Sequence, residues 1–153
     1  MNYLILTCLF WLFFLGVADN QATLVLLPSL GKSFNIGTIA RGTLVAGYAL
    51  GAGLASLGSG ILSDQFGRKK FLQGAILAFG VFSWFTSQTS TLPQIFLSRL
   101  GTGFASGILS TCAIAFAGDW FPYAVRGRAL GIISSAYFAA PILGVPLATQ
   151  LAN

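Results

Sequence analysis

The sequence predicts an all-α integral membrane protein, and three observations carry that prediction. Of the 153 residues, 56% are hydrophobic and 7% charged, with no Glu and no His, far from the soluble average. The apolar runs between charges exceed the length needed to cross a bilayer. Those runs also lack the polar–apolar alternation of membrane strands. The net charge of +5 would suggest nucleic acid in another setting. Here the basic residues cluster at the ends of apolar runs, so topology accounts for them and no nucleic-acid partner is expected.

Five spanning helices are expected in order. The first covers about 3–30. It resembles a signal peptide, but no Lys or Arg precedes its apolar run, and apolar sequence continues beyond Asp19. A spanning helix is therefore expected rather than a cleaved leader. "GKSFNIGTIAR" reads as a polar connection, followed by a second span at about 42–62 and a third at about 71–88. "SQTSTLP" reads as a turn, with Pro93 opening the fourth span at about 92–117. "GDWFPYAVRGR" separates it from the fifth, at about 129–151.

Charge sets the expected orientation. Arg68, Lys69, Lys70, Arg126 and Arg128 fall on one side and Lys32 and Arg41 on the other. The positive-inside rule puts the former loops, and the N-terminus with them, in the cytoplasm. The closing "PLATQLAN" carries no charge, and the chain is expected to be truncated. Cys8 and Cys112 lie inside apolar runs, where they read as packing residues rather than a disulfide or metal pair. Neither metal nor cofactor is expected, and no constellation for enzymatic catalysis is present.

Two charges fall inside predicted spans. Asp19 lies about 24 Å along the first helix. An acid at such depth is costly and should face protein or water. Arg99 lies about 10 Å into the fourth helix and keeps its proton, so it needs a partner or an interface to snorkel to. Asp19 is a candidate partner if the first and fourth helices are neighbours. Glycines recur in the second and fourth helices, Gly103 and Gly107 among them. They suit close backbone approach in lipid. "GTGFASG" is not a dinucleotide fingerprint, because its spacing is wrong and no strand precedes it.

The stretch "GSGILSDQFGRKKFLQG" concentrates charge between the second and third spans. Asp64 stands at the negative end of its own helix, so it should seek Arg68, Arg126 or another helix N-terminus. Gly67 permits a tight reversal. The three basic residues suit the cytoplasmic headgroups.

Gly60-Ile61-Leu62-Ser63-Asp64-Gln65-Phe66-Gly67-Arg68-Lys69-Lys70 resembles the G-x-L-x-D-x-x-G-R-[RK]-x signature of the major facilitator superfamily. Arg99 and Gly103 resemble its fourth-helix R-x-x-x-G. Asp119 with Arg126-Gly127-Arg128-Ala129 resembles its acid-then-R-G-R-A loop. Ala136, Ala140, Pro141, Gly144 and Val145 stand where drug–proton antiporters carry G-x-x-x-G-P-x-x-G-G, a partial match.

The resemblance implies the first five helices of a twelve-helix transporter in the plasma (inner) membrane. It implies proton-coupled efflux of a small molecule, drug or sugar, with uptake symport of sugars or organic ions as the alternative. A different class, a non-transporting membrane protein packing on partner helices, stays open because five helices are fewer than one six-helix bundle. Expected partners are substrate, protons, lipid and the remaining helices. The resemblance assigns Asp19 and Arg99 to the transport pathway and Gly60, Asp64, Gly67, Arg68, Lys69 and Arg126 to a gate latch. It assigns Gly103, Gly107, Pro141 and Gly144 to helix packing or bending.

Overall fold

The computed structural model describes residues 2–33 and 37–151, with side chains described except at 26–33, 38, 144, 145 and 147–151. Five helices follow in chain order: α1 (Tyr3–Ser33), α2 (Thr38–Phe66), α3 (Arg68–Ser87), α4 (Leu92–Trp120) and α5 (Tyr123–Leu151).

The helices run further than the apolar runs that announce them. α2 begins at Thr38 rather than about 42, and α5 at Tyr123 rather than about 129. The charged interval 64–70 is not a loop, since Gly67 alone separates α2 from α3. Polar side chains at a membrane surface do not stop a helix; a backbone breaker does. Gly67 is that breaker, with φ +87°, a conformation L side chains rarely adopt. Between α4 and α5 the breaker is Pro122. It forces Phe121 into extended geometry, φ −92° and ψ 131°, and α4 stops there. Pro93 sits in the first turn of α4, where its missing N–H is no loss. α5 continues through Pro141 and Pro146, so the bend expected at Pro141 does not interrupt it. The packing around Gly144 lies outside the described residues.

Among the described residues, three helices are long and apolar enough to cross a membrane: α1 over Tyr3–Val25, α2 over Ile39–Phe66 and α4 over Leu92–Trp120. The two further spans expected, at about 71–88 and 129–151, fall on α3 and α5. α3 falls short because Lys70, Gln73 and the polar end at Thr86 and Ser87 interrupt it. In α5 the side chains at 144, 145 and 147–151 lie outside the described residues.

α4 is central, packing on each of the other four helices, while α1 also packs on α5. Many of its buried residues are small, among them Gly101, Gly103, Ala105, Gly107, Ala113 and Ala117. A Cβ added at Gly103 would strike the Tyr48 carbonyl of α2, and one at Gly107 the Ala52 carbonyl. In return, a Cβ at Gly51 of α2 would strike the Leu100 carbonyl of α4. The two backbones therefore touch, where dispersion acts at short range, and Leu44 of α2 packs with Ile95 of α4 toward one end. A larger core joins α1, α3, α4 and α5 through residues such as Leu9, Leu72, Cys112 and Ile133. Cys8 is exposed and Cys112 buried, and both are free thiols.

Candidate functional site

Two charged sites hang on α4, about 24 Å apart along its axis between Arg99 and Ala115. The buried one lies toward the α3–α4 turn. Arg99 Nη1 donates to Asp19 Oδ2 of α1 at 3.0 Å, with the side chains 5% and 19% exposed. Nη1 also donates to Thr23 Oγ1, one turn along α1, and Nη2 donates to Thr86 Oγ1 of α3 at 3.3 Å. One guanidinium thus ties three helices. Its planar fork makes this possible, since a lysine would offer a single point of charge.

Nearby, Tyr48 of α2 joins α1 and α4. Its hydroxyl donates to the Gly16 carbonyl at 2.9 Å and shares a hydrogen bond with Ser106 Oγ at 2.8 Å. Gly16 has no Cβ, and one there would press on Ser106 Oγ. α1 is therefore held against α2 and α4 by a polar knot beside the ion pair.

The second site lies at the other end. Arg68 Nε donates to Asp64 Oδ1 at 2.9 Å, and its Nη1 reaches Asp119 Oδ2 at 2.7 Å and the Ala115 carbonyl of α4. Each of these charges is mismatched to its own helix. Asp64 and Asp119 sit at negative C-terminal ends, and Arg68 opens α3 at a positive N-terminal end. Pairing resolves all three mismatches at once. The acids are 59% and 67% exposed, so screening keeps the pairs weak. Replacing Asp119 by Asn should therefore cost only about 0.2–1 kcal/mol. That loss should vanish in 1 M salt, where the screening length is about 3 Å. Thermal unfolding in micelles at two salt concentrations measures it.

Of the residues expected at the latch, Asp64, Gly67 and Arg68 come together. Lys69 is exposed, and Gly60 faces open space. Arg126 does not join Asp64: its Nε donates at 3.4 Å to the Phe121 carbonyl. Phe121 ends α4 one residue before Pro122, which leaves that carbonyl free for Arg126. Sequence reasoning missed Thr86, Tyr48 and Ser106. Thr86 belonged to a segment read as a spanning helix running into a turn, and a lone Tyr or Ser in an apolar helix gives no signal. Asp119 was noted only within a loop pattern, not as the second acid on Arg68.

The fold and these two sites define a membrane-embedded helical bundle with a buried ion pair in one half and an exposed charge cluster at the opposite end. The chain belongs to the Major Facilitator Superfamily, whose profile matches residues 9–153. It is 34% identical over 103 residues to the 4-hydroxybenzoate transporter PcaK of Pseudomonas putida, covering 67% of this chain and 23% of that protein. It is 29% identical to the 3-(3-hydroxy-phenyl)propionate transporter of Escherichia coli, over 87% of this chain and 32% of the relative. It is 27% identical to the probable galactarate/D-glucarate transporter GudP of Pseudomonas putida, over 91% of this chain and 32% of the relative. The chain thus spans 23% to 32% of the length of these relatives.

Proposed function

We propose that this chain forms part of a proton-coupled transporter for small organic carboxylates. The observation that carries the proposal is the ion pair between Asp19 and Arg99, buried in a span and joining α1 to α4. While Asp19 is ionised it occupies the guanidinium. When Asp19 takes up a proton the pair dissolves, and Arg99 is left with a charge it cannot discard. A substrate carboxylate is the group that would replace it, by the same charge-assisted hydrogen bond. Proton and anion would then enter the site together. The relatives point the same way: 4-hydroxybenzoate, 3-(3-hydroxyphenyl)propionate and galactarate or glucarate all carry carboxylates. The drug or sugar class gives way to organic acids on that ground, and efflux to symport.

The Arg68 cluster serves in this reading as the latch. Its partners come from α2 and α4, and its exposed pairs are weak enough to break in each cycle. In the same reading the positive-inside rule puts that end of the bundle, and the N-terminus, in the cytoplasm. Alternating access requires two bundles rocking about a midplane site, so the transporting unit holds more helices than these five. α2 presents an apolar stripe to lipid or to such helices, with Leu50, Leu54, Leu57 and Ile61 all more than half exposed.

Membrane vesicles that hold the full transporting unit and a pH-sensitive dye test the proposal. With an inward proton gradient, labelled 4-hydroxybenzoate should accumulate and the lumen should acidify, and Asp19→Asn should abolish both. Accumulation without acidification would remove proton coupling. Substrate-driven proton movement in the opposite direction would restore efflux antiport. No uptake, with unrelated helices copurifying, would favour the non-transporting partner role.

A further inference from the structure

A cavity of about 230 Å³ opens beside Arg99 at the α3–α4 end of the bundle. We infer that it is a hydration chamber through which water reaches the Asp19–Arg99 pair from that end. Three observations support this, and its transport role rests on the proton-coupled reading above.

The first is an unanswered donor. Arg99 is 4% exposed, and its Nε finds no acceptor among protein groups. Buried N–H groups are almost always satisfied, by protein or by ordered water. The second is the direction of the hydroxyls that line the cavity. Thr23 donates to the Asp19 carbonyl, Thr86 to Phe82, Ser87 to Trp84 and Thr89 to Thr86. All four protons are spent on backbone, so the cavity receives lone pairs only. An anion would meet the guanidinium but also four hydroxyl oxygens whose protons are already committed, a poor match. A cation would meet the guanidinium. Water can accept from a guanidinium N–H and donate to the hydroxyl oxygens, so it suits the whole set. The third is size: at about 30 Å³ each, several waters fit.

The walls define a path. Ser87 is exposed, Thr86 and Thr89 are half-buried, and Ile95 and Leu44 are buried. Depth thus increases from the α3–α4 turn toward Arg99. At the inner end Thr23 contacts Arg99 Nη1 and stands one turn from Asp19. Asp19 stands behind Thr23 and Arg99 rather than in the chamber wall, so the water meets the pair on its guanidinium side.

Thiol labelling tests the chamber without requiring transport. In a Cys8→Ser background, Ile95→Cys and Thr86→Cys are exposed to methanethiosulfonate-ethylammonium in detergent micelles. Leu9→Cys serves as the control, since Leu9 is 2% exposed and lies in the apolar core. Thiols react as thiolates, which need water, so both chamber positions should label at least about tenfold faster than the control. Adding Thr89→Phe at the mouth should bring them down toward it. Labelling of both no faster than Leu9→Cys overturns the chamber. Fast labelling that Thr89→Phe leaves unchanged overturns the route through the α3–α4 end. Gel filtration confirms that each variant is folded, and two positions guard against one failing. If labelling behaves as expected but uptake ignores the proton gradient, the transport reading falls and the chamber stands.

Discussion

Asp19→Asn should destabilise the bundle by about 3–5 kcal/mol, the usual effect of removing one partner of a buried ion pair. Most of that loss is the cost of leaving Arg99 charged and short of an acceptor, since a guanidinium cannot discharge. Thr23 and Thr86 would still accept from it, which holds the loss within that range. Arg99→Gln should cost less, because a carboxyl without a partner can neutralise itself by taking up a proton. The double variant is the decisive measurement. Once neither charge remains, nothing is left uncompensated, and the combined loss should be well below the sum of the single losses. Unfolding midpoints in micelles give all four corners of the cycle. Strictly additive losses would mean that the two residues do not act as a pair.

The sequence made this pair conceivable without showing it. Asp19 and Arg99 stood out because charge deep in an apolar run demands an explanation. Nothing in the linear order put α1 beside α4, and the resemblance to the superfamily supplied only the expectation of a shared pathway. The residues that complete the site were invisible for a physical reason. Thr86, Tyr48 and Ser106 are uncharged, and their importance lies in what faces them across three helix interfaces. At the other end the motif was legible and its shape was not. Asp64, Gly67 and Arg68 announce a reversal, but hydropathy reads charge as loop. The backbone follows φ at Gly67 and the ring of Pro122, so helix runs up to both. Arg126 illustrates the same limit: its charge suggested Asp64, and the end of α4 offered it a nearer carbonyl.

Glycine in these helices also reads as one class in the sequence and divides into two in the structure. Gly51 and Gly53 lie two positions apart in α2. A Cβ on Gly51 would strike the Leu100 carbonyl and crowd the Phe104 amide, whereas a Cβ on Gly53 meets nothing within 4 Å. Their alanine variants should therefore have opposite signs. Gly53→Ala removes backbone freedom from the unfolded chain and should stabilise by about 0.5–1 kcal/mol. Gly51→Ala must move one backbone away from another, and no side chain is there to swing aside. It should cost about 1–3 kcal/mol or more, as overpacking does. Gly103→Ala should behave like Gly51→Ala, because its Cβ would meet the Tyr48 carbonyl on the same interface. The pair of costly variants should be less than additive, since the first already separates α2 from α4 and makes room for the second. Separation there also draws Tyr48 away from Gly16 and Ser106, so α1 and Asp19 would shift relative to Arg99. Gly103→Ala should consequently lower both the unfolding midpoint and any uptake that depends on Asp19, while Gly53→Ala leaves uptake unchanged. Equal effects of Gly51→Ala and Gly53→Ala would show that α2 and α4 do not meet backbone to backbone.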